Sequence, residues 1–269
     1  MIFGFLRLQL AFYKHSHMPQ APKISVVTAS FNALEGLKAT VSSVAAQSIT
    51  FVEHIIIDGG SSDGTREYLQ GLGDQVLWVS EPDKGIADAL NKGIAMAHGE
   101  WILILQAEDV LLSNDALETA IGELSPTLDM VAFQVLLATP DCRHTVLPSR
   151  PLGFLTNIKM TSPHQGLFVK RAFYADIGTF DADFRIAMDY EFLLRAKRIG
   201  VRHKAIDRPL SIMPATGIST LADWHSIDAR LKEDRRLQRR HIRSVPGRAA
   251  NSAFWAVYRP FKRLKASLT

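Results

Sequence analysis

The chain has very little cysteine: one residue, Cys142, in 269. A lone thiol excludes an internal disulfide and fits a reducing compartment. As a nucleophile it would need a partner base, and an ordinary loop thiol is the simpler reading. No His/Cys group has the spacing of a zinc site, and no serine sits in a nucleophile elbow. A long apolar run is also missing. The N-terminal "MIFGFLRLQLAFYKHSHM" falls short of the roughly 20 residues a membrane span needs, and Arg7 interrupts it. It has no small-residue cleavage site. Residues 1–21 are therefore read as a leader, either disordered or the result of a start assigned upstream of Met18. There are no internal repeats and no low-complexity tract.

A large excess of one sign of charge is missing as well. The net charge is +4, and the excess sits in the C-terminal "RLKEDRRLQRRHIR" and "YRPFKRLK". No nucleic-acid-binding motif accompanies it, so nucleic acid is not expected as a partner. What is present is a globular core, with 47% hydrophobic residues.

After "PQAP", apolar strands alternate with amphipathic helices. The strands are Lys23–Ala29, "EHIIID", "QVLWVS" and "WILIL"; the helices are "ALEGLKATVSSVAAQ", "GTREYLQGL", "GIADALNKGIAMAHG" and "DALETAIGEL". Such alternation predicts an α/β fold with a mostly parallel sheet covered on both faces. Ligands bind such sheets outside the carboxyl ends of the strands. Those ends read Thr28, Ser30 and Asn32; Asp58 before "GGSSDG"; Glu81, Asp83 and Lys84; and Gln106, Glu108 and Asp109. One acidic exit is ordinary loop composition, whereas four on one edge describe a site.

From Asp129 to Pro163 the sequence predicts a strand, "MVAFQVLLA", and then a long irregular stretch. "QGLFVKRAFYADIG" reads as a strand and short helix. A helix from near Ala187 to Gly200 follows, then the strand "VRHKAIDRPLSIMP". Beyond Ser219 the chain reads as helical and basic.

Several residues carry two readings. Glu108 and Asp109 suit a hard divalent cation, which takes one or two protein carboxylates and completes its shell with phosphate and water; they also suit a plain acidic loop. Asp58 can accept hydrogen bonds from a nucleobase or ribose, or simply cap its turn. "GGSSDGT" lacks the ending of a Walker loop and does not match the dinucleotide fingerprint. Asp189, in the first turn of its helix, is stabilised by the helix dipole whatever its role. Glu191 pairs at i,i+4 with Arg195 as a surface ion pair. His164, after Pro163, taken alone is a structural histidine.

Together, "ISVVTASFN", "HIIIDGGSSDGT", "SEPDKGIADALNKGIAMAHGEWILILQAEDVL" and "SPHQGLFVKRAFYADIGTFDADFRIAMDYEFLLR" resemble, in order, the motif blocks of family 2 glycosyltransferases. The nearest likeness is to the bacterial capsule, exopolysaccharide and O-antigen branch related to colanic-acid transferases. It spans about Lys23 to Arg198.

The resemblance implies a GT-A fold over residues 22–218 and a basic helical extension over 219–269. It places Thr28, Ser30 and Asn32 in a nucleotide loop, Asp58 at the base, and Asp83, Lys84, Asp88 and Asn91 along the donor pocket. Gln106-Ala107-Glu108-Asp109 falls on the acidic metal motif, with Asp109 as principal ligand to Mg²⁺ or Mn²⁺. His164 and Gln165 match a His-Gln pair, and Asp189 matches the catalytic base. Relatives carry Asn or Asp at Gln106, Asp at Glu108, and often Arg at Leu90.

The implied activity is inverting transfer from a nucleotide-sugar donor to a saccharide or lipid-linked glycan acceptor in surface-polysaccharide synthesis. The other reading is a degenerate nucleotide- or glycan-binding module, suggested by the altered "QAED". A metal-dependent nucleotidyltransferase or phosphohydrolase would not require the "HQ…MDYEFLLR" half.

In the tail, Phe254, Trp255, Tyr258 and Phe261 interleave with Arg259, Lys262, Arg263 and Lys265. That mixture suits either an anionic membrane surface or packing on the catalytic domain. Pro260 is expected to kink or break any helix there. The expected location is cytoplasmic, with a peripheral contact at the inner face of the membrane.

Overall fold

The computed structural model describes residues 23–139, 143–215 and 223–267. The leader and Cys142 lie outside them. β1 (Ile24–Ser30) is buried along its whole length because it has parallel neighbours on both sides, β2 (Val52–Asp58) and β4 (Trp101–Ile104). A central strand of this kind needs apolar residues on both faces, which explains its unbroken β-branched run. β3 (Leu77–Ser80) pairs parallel with β2. Three carboxyl ends therefore stand in register, Ser30 opposite Asp58 and Asp58 opposite Ser80.

Alternate residues divide the core between the two faces. Val27, Ile55, Ile57 and Ile102 pack under α3 (Ile86–Met96), α5 (Arg171–Ile177) and α6 (Met188–Arg198). Ile24, Val26, Trp101 and Leu103 pack with α1 (Leu34–Ala45) and α4 (Ala116–Ile121), and Ile56 with α1 and α2 (Thr65–Leu72).

Beyond β4 the sheet continues through β8 (Leu167–Lys170), β6 (Met130–Ala138), β9 (His203–Pro214) and β5 (Val110–Leu111), every pair antiparallel except β6 with β9, so that the full order is β3-β2-β1-β4-β8-β6-β9-β5. Two strands differ from the sequence expectation. β5 is too short to show a pattern. β7 (His144–Leu147), inside the stretch read as irregular, is a largely exposed flank of β6 with no apolar alternation to reveal it.

The basic tail forms α7 (Trp224–His241) and α8 (Val245–Ala266). The sequence reads α7 as mostly solvated, but it buries Asp228, Leu231, Leu237 and Gln238. Gln238 Nε2 donates to Ile158 O at 2.8 Å and to the Tyr190 hydroxyl at 3.3 Å. Its Oε1 accepts from Asn251 Nδ2 at 2.7 Å and Trp255 Nε1 at 2.8 Å. One amide thus joins α6, α7 and α8.

Pro260 does not break α8, which continues for six residues beyond it. Pro260 and Ala256 are both exposed, so the carbonyl deprived of its partner is open to water. Glu191 is likewise no surface pair: it is 2% exposed, with Arg195 Nε at 2.7 Å and His241 Nε2 at 3.2 Å. Burial pushes its carboxyl up, but His241 and Arg195 outweigh that and leave it lowered.

Gln238→Leu is expected to lower unfolding free energy by about 2–4 kcal/mol in urea titration, because it leaves Trp255 Nε1 and Asn251 unpaired in the interior.

Candidate functional site

The chain leaves β4 through Leu105 and Ala107, whose N–H groups still bond to β1 at Val27 O and Ala29 O. It then reverses in a turn closed by Asp109 N–H to Gln106 O at 3.0 Å. Glu108 occupies the third position of that turn with φ +86°, a left-handed conformation that costs a non-glycine residue about 1–2 kcal/mol. The turn is held from α1: Glu108 N donates to Thr40 Oγ1 at 3.1 Å, and a Cβ on Gly36 would stand 2.2 Å from Glu108 Cγ. Glycine at 36 is what lets this loop sit on the helix.

Asp109, 3% exposed, accepts from its own turn at Gln106 N, 2.9 Å. Burial pushes its carboxyl up to about 7, against the opposing pull of His164, the Gln106 N–H and Gln165.

The second half of the site comes from a short 3₁₀ turn, His164–Gly166, and from the start of α6. The turn passes close over β6, where a Cβ on Gly166 would lie 2.4 Å from Phe133 O. Gln106 Nε2 lies 3.0 Å from His164 Nε2, and His164 Nδ1 lies 3.2 Å from Asp189 Oδ2. Both contacts are satisfied when the Gln106 amide donates to Nε2 and Nδ1–H donates to Asp189. The ring then orients the carboxylate. Asp189 Oδ1 accepts from Tyr190 N at 2.7 Å.

These residues line one cleft of about 200 Å³, open to solvent, which brings Glu108, Asp109, His164, Gln165 and Asp189 together. The remaining sequence candidates lie elsewhere. Thr28 is inside β1, fully buried, with its hydroxyl 2.9 Å from His54 Nε2. Burial holds the His54 ring down near 3, so it is neutral. Asn91 makes two hydrogen bonds with the Phe180 backbone, at 2.8 and 2.9 Å.

The other candidates lie at the carboxyl ends of β1–β3, in the loops that follow, and, for Asp88, in the first turn of α3. Asp58 is fully buried and accepts from Ser61 N at 3.0 Å, the Ser61 hydroxyl, and Ser80 Oγ at 2.7 Å. Asn32 Oδ1 accepts from Ser62 N at 2.9 Å. Ser30 Oγ is buried with no hydrogen-bond partner among the described residues. Asp83 accepts from Gly85 N at 2.8 Å, and Asp88 accepts from Lys84 N at 3.1 Å. Lys84 itself is exposed.

Sequence reasoning missed three residues. Phe31, 63% exposed, stands beside Asn32; an aromatic in a polar strand exit was the available signal. Arg230 and Asp234 of α7 also line the cleft. Burial, the nearby Asp189 and Glu233, offset in part by Arg230, push Asp234 up to about 7.

Among the described residues, no group of three or more His, Cys, Asp or Glu side chains forms a preformed cage for a metal. One buried carboxylate with an acidic neighbour fits a divalent cation that draws its other ligands from a bound diphosphate and water.

A raised carboxyl has a definite sign in stability. Between its ordinary range near 4 and about 7, folded Asp234 keeps a proton that the unfolded chain has released. Stability therefore falls as pH rises through that window and is flat above it. Asp234→Asn removes this loss, so its melting temperature at pH 8 is expected to exceed the parent's by about 3 °C. Calorimetry should show the gap closing toward pH 4.

A family model described as "Glycosyl transferase family 2" matches residues 25–190, which include every catalytic candidate above except the α7 pair. An uncharacterized glycosyltransferase of Mycobacterium tuberculosis is 36% identical over 255 residues, covering 88% of this chain and 97% of that protein. A PGL/p-HBAD biosynthesis glycosyltransferase of Mycobacterium bovis is 31% identical over 183 residues, 65% of this chain and 70% of its own. Among solved structures, a mannosyltransferase from Pyrobaculum calidifontis in complex with GDP-Man and Mn²⁺ superposes with TM-score 0.64 at 18% identity, over 99% of this chain and 80% of its own. Staphylococcus aureus TarS in complex with UDP-GlcNAc gives 0.63 at 16% identity, over 81% of this chain and 66% of its own; the chain spans 39% of a longer TarS chain. The two structures establish a shared fold, GT-A. The chain belongs to glycosyl transferase family 2.

Proposed function

We propose that this chain is an inverting, metal-dependent glycosyltransferase that moves a sugar from a nucleoside-diphosphate sugar to a saccharide or lipid-linked acceptor in bacterial surface-polysaccharide synthesis. The observation that carries the reading is the pairing of Asp109 and Asp189 in one cleft, the second held by His164. The relatives support the class of product, since one is named for PGL/p-HBAD biosynthesis and another, from Pasteurella multocida, is a hyaluronan synthase.

In this reading the loops at the ends of β1–β3 hold the nucleotide. Exposed Phe31 offers a face to the base, and Asp58 keeps the Gly59–Ser62 turn in shape beneath it. Asp109, helped by Glu108, would hold Mg²⁺ or Mn²⁺, which when bound supplies positive charge to the diphosphate leaving group. Asp189 takes the proton of the acceptor hydroxyl as its oxygen bonds to the anomeric carbon and the bond to the diphosphate breaks. His164 keeps the Asp189 carboxylate aimed during that exchange. Attack from the face opposite the leaving group inverts the anomeric centre without a covalent enzyme intermediate.

No helix among the described residues is long and apolar enough to cross a membrane. α8 nevertheless exposes Val257 (71%), Phe261 (57%) and Leu264 (62%) at i, i+4 and i+7. It carries five basic residues between Val245 and Ala266 and no acidic one. Trp255 faces inward, bonded to Gln238, so the aromatics divide between packing and an outer face. That outer face suits the surface of an anionic bilayer, where a lipid-linked acceptor would lie.

Two experiments test these readings. In a screen of nucleotide-sugars with Mn²⁺, the parent chain should bind and slowly hydrolyse one donor. Asp109→Ala should lose that binding, and Asp189→Asn should bind the donor but transfer at least about a hundredfold more slowly; near-parental turnover by Asp189→Asn rejects the base assignment. For the membrane, the chain should sediment with phosphatidylglycerol vesicles and detach as salt is raised. Replacing Val257, Phe261 and Leu264 together with serine should abolish sedimentation.

A further inference from the structure

α7 reaches the cleft from outside the residues that the family model matches. It is fixed there by Glu233, whose carboxylate accepts from Arg185 N at 3.1 Å, Ile186 N at 2.8 Å and Ala187 N at 2.9 Å. Those three N–H groups lead directly into α6. On the same helix, Arg230 and Asp234 are one turn apart and both line the cleft. Asp189 lines the same cleft, and its charge contributes to raising the Asp234 carboxyl. The Asp234 carboxylate makes no hydrogen bond among the described residues, although it is half-buried. Desolvating a carboxylate without a donor is unfavourable, and the helix would be more stable with a neutral side chain there.

The position is understandable if a ligand supplies the missing donors. Sugar hydroxyls both donate and accept, so a carboxylate and a guanidinium on adjacent turns complement them. Leu147, Met160 and Met213 line the same cleft and suit the C–H face of a pyranose. The charged lining consists of four carboxyls, Glu108, Asp109, Asp189 and Asp234, against two guanidiniums, Arg185 and Arg230. With Glu108 and Asp109 engaged by the cation, a sugar carboxylate seated against Asp234 and Asp189 would still meet like charge on both.

We propose that Arg230 and Asp234 form the acceptor-recognition subsite of the cleft and select a neutral, hydroxyl-bearing sugar over a uronic acid. This rests on the glycosyl-transfer reading above. It makes α7 a specificity element, while Glu233 positions the start of α6.

The test is saturation-transfer NMR on the full chain in Mg²⁺, with methyl β-D-glucopyranoside and methyl β-D-glucuronide as probes. The parent should bind the neutral glycoside at least about tenfold more tightly than the glucuronide. Asp234→Asn should weaken neutral-glycoside binding and narrow the preference, and Asp234→Lys should reverse it. Asn is isosteric with Asp and breaks no hydrogen bond, so this variant is expected to fold; a circular-dichroism melt checks it. An identical preference in the parent and both folded variants overturns the proposal, as does absence of binding of either glycoside to the parent. Sugar-nucleotide binding is measured in parallel. A chain that binds no nucleotide-sugar but keeps an Asp234-dependent glycoside preference refutes the transferase reading and leaves the subsite standing. Donor binding with an Asp234-independent preference does the reverse.

Discussion

Asp189 is useful only where the start of α6 puts it, and that start is set by a carboxylate from another helix. α6 has no side-chain cap of its own; Ala187 precedes its first residue. Glu233 accepts from the three N–H groups approaching it instead, joining a charge-assisted cap to the positive end of the helix dipole. Gln238, one turn further along α7, bonds to the Tyr190 hydroxyl beside Asp189. Asp189 is therefore held from below by its own helix, from the side by His164, and from outside by α7. The basic tail is built into the architecture of the site.

The opposite wall follows a different logic. Parallel strands place their carboxyl ends on one edge, so polar residues spread over the first half of the sequence come together there and bond across it, as Asp58 does with Ser80 and Asn32 with Ser62. Glu108 is the place where local preference gives way. A left-handed turn residue would ordinarily be glycine or asparagine; here a glutamate takes that conformation, held by Thr40 and accommodated by Gly36. The loop keeps two adjacent carboxyls at the strand exit at the cost of local strain.

This division explains what could be read from the residues. The β-branched runs of β1 and β2 and the polar exits after them announce the sheet and its working edge, because burial on both faces leaves no other pattern. Gathering of Asp109, His164 and Asp189 follows from that edge together with the motif order. Thr28 could not be placed from sequence: one residue of register decides whether a strand-end hydroxyl reaches the cleft or is buried against His54. Asn91 has the composition of a donor-pocket residue but is used to bind Phe180 backbone. Arg230 and Asp234 were illegible because they sit in a run of alternating charges, and such a run ordinarily describes a solvated helix face. Only the burial of Leu231 and Leu237 on either side reveals which way that helix is turned.

The Asn91 contact also has a mechanical meaning. Its two opposed hydrogen bonds clip α3 to the segment leading toward α6, on top of a sheet that runs without interruption from β3 to β5. Among the described residues, rotating one half against the other would have to shear that sheet and pull this clip apart.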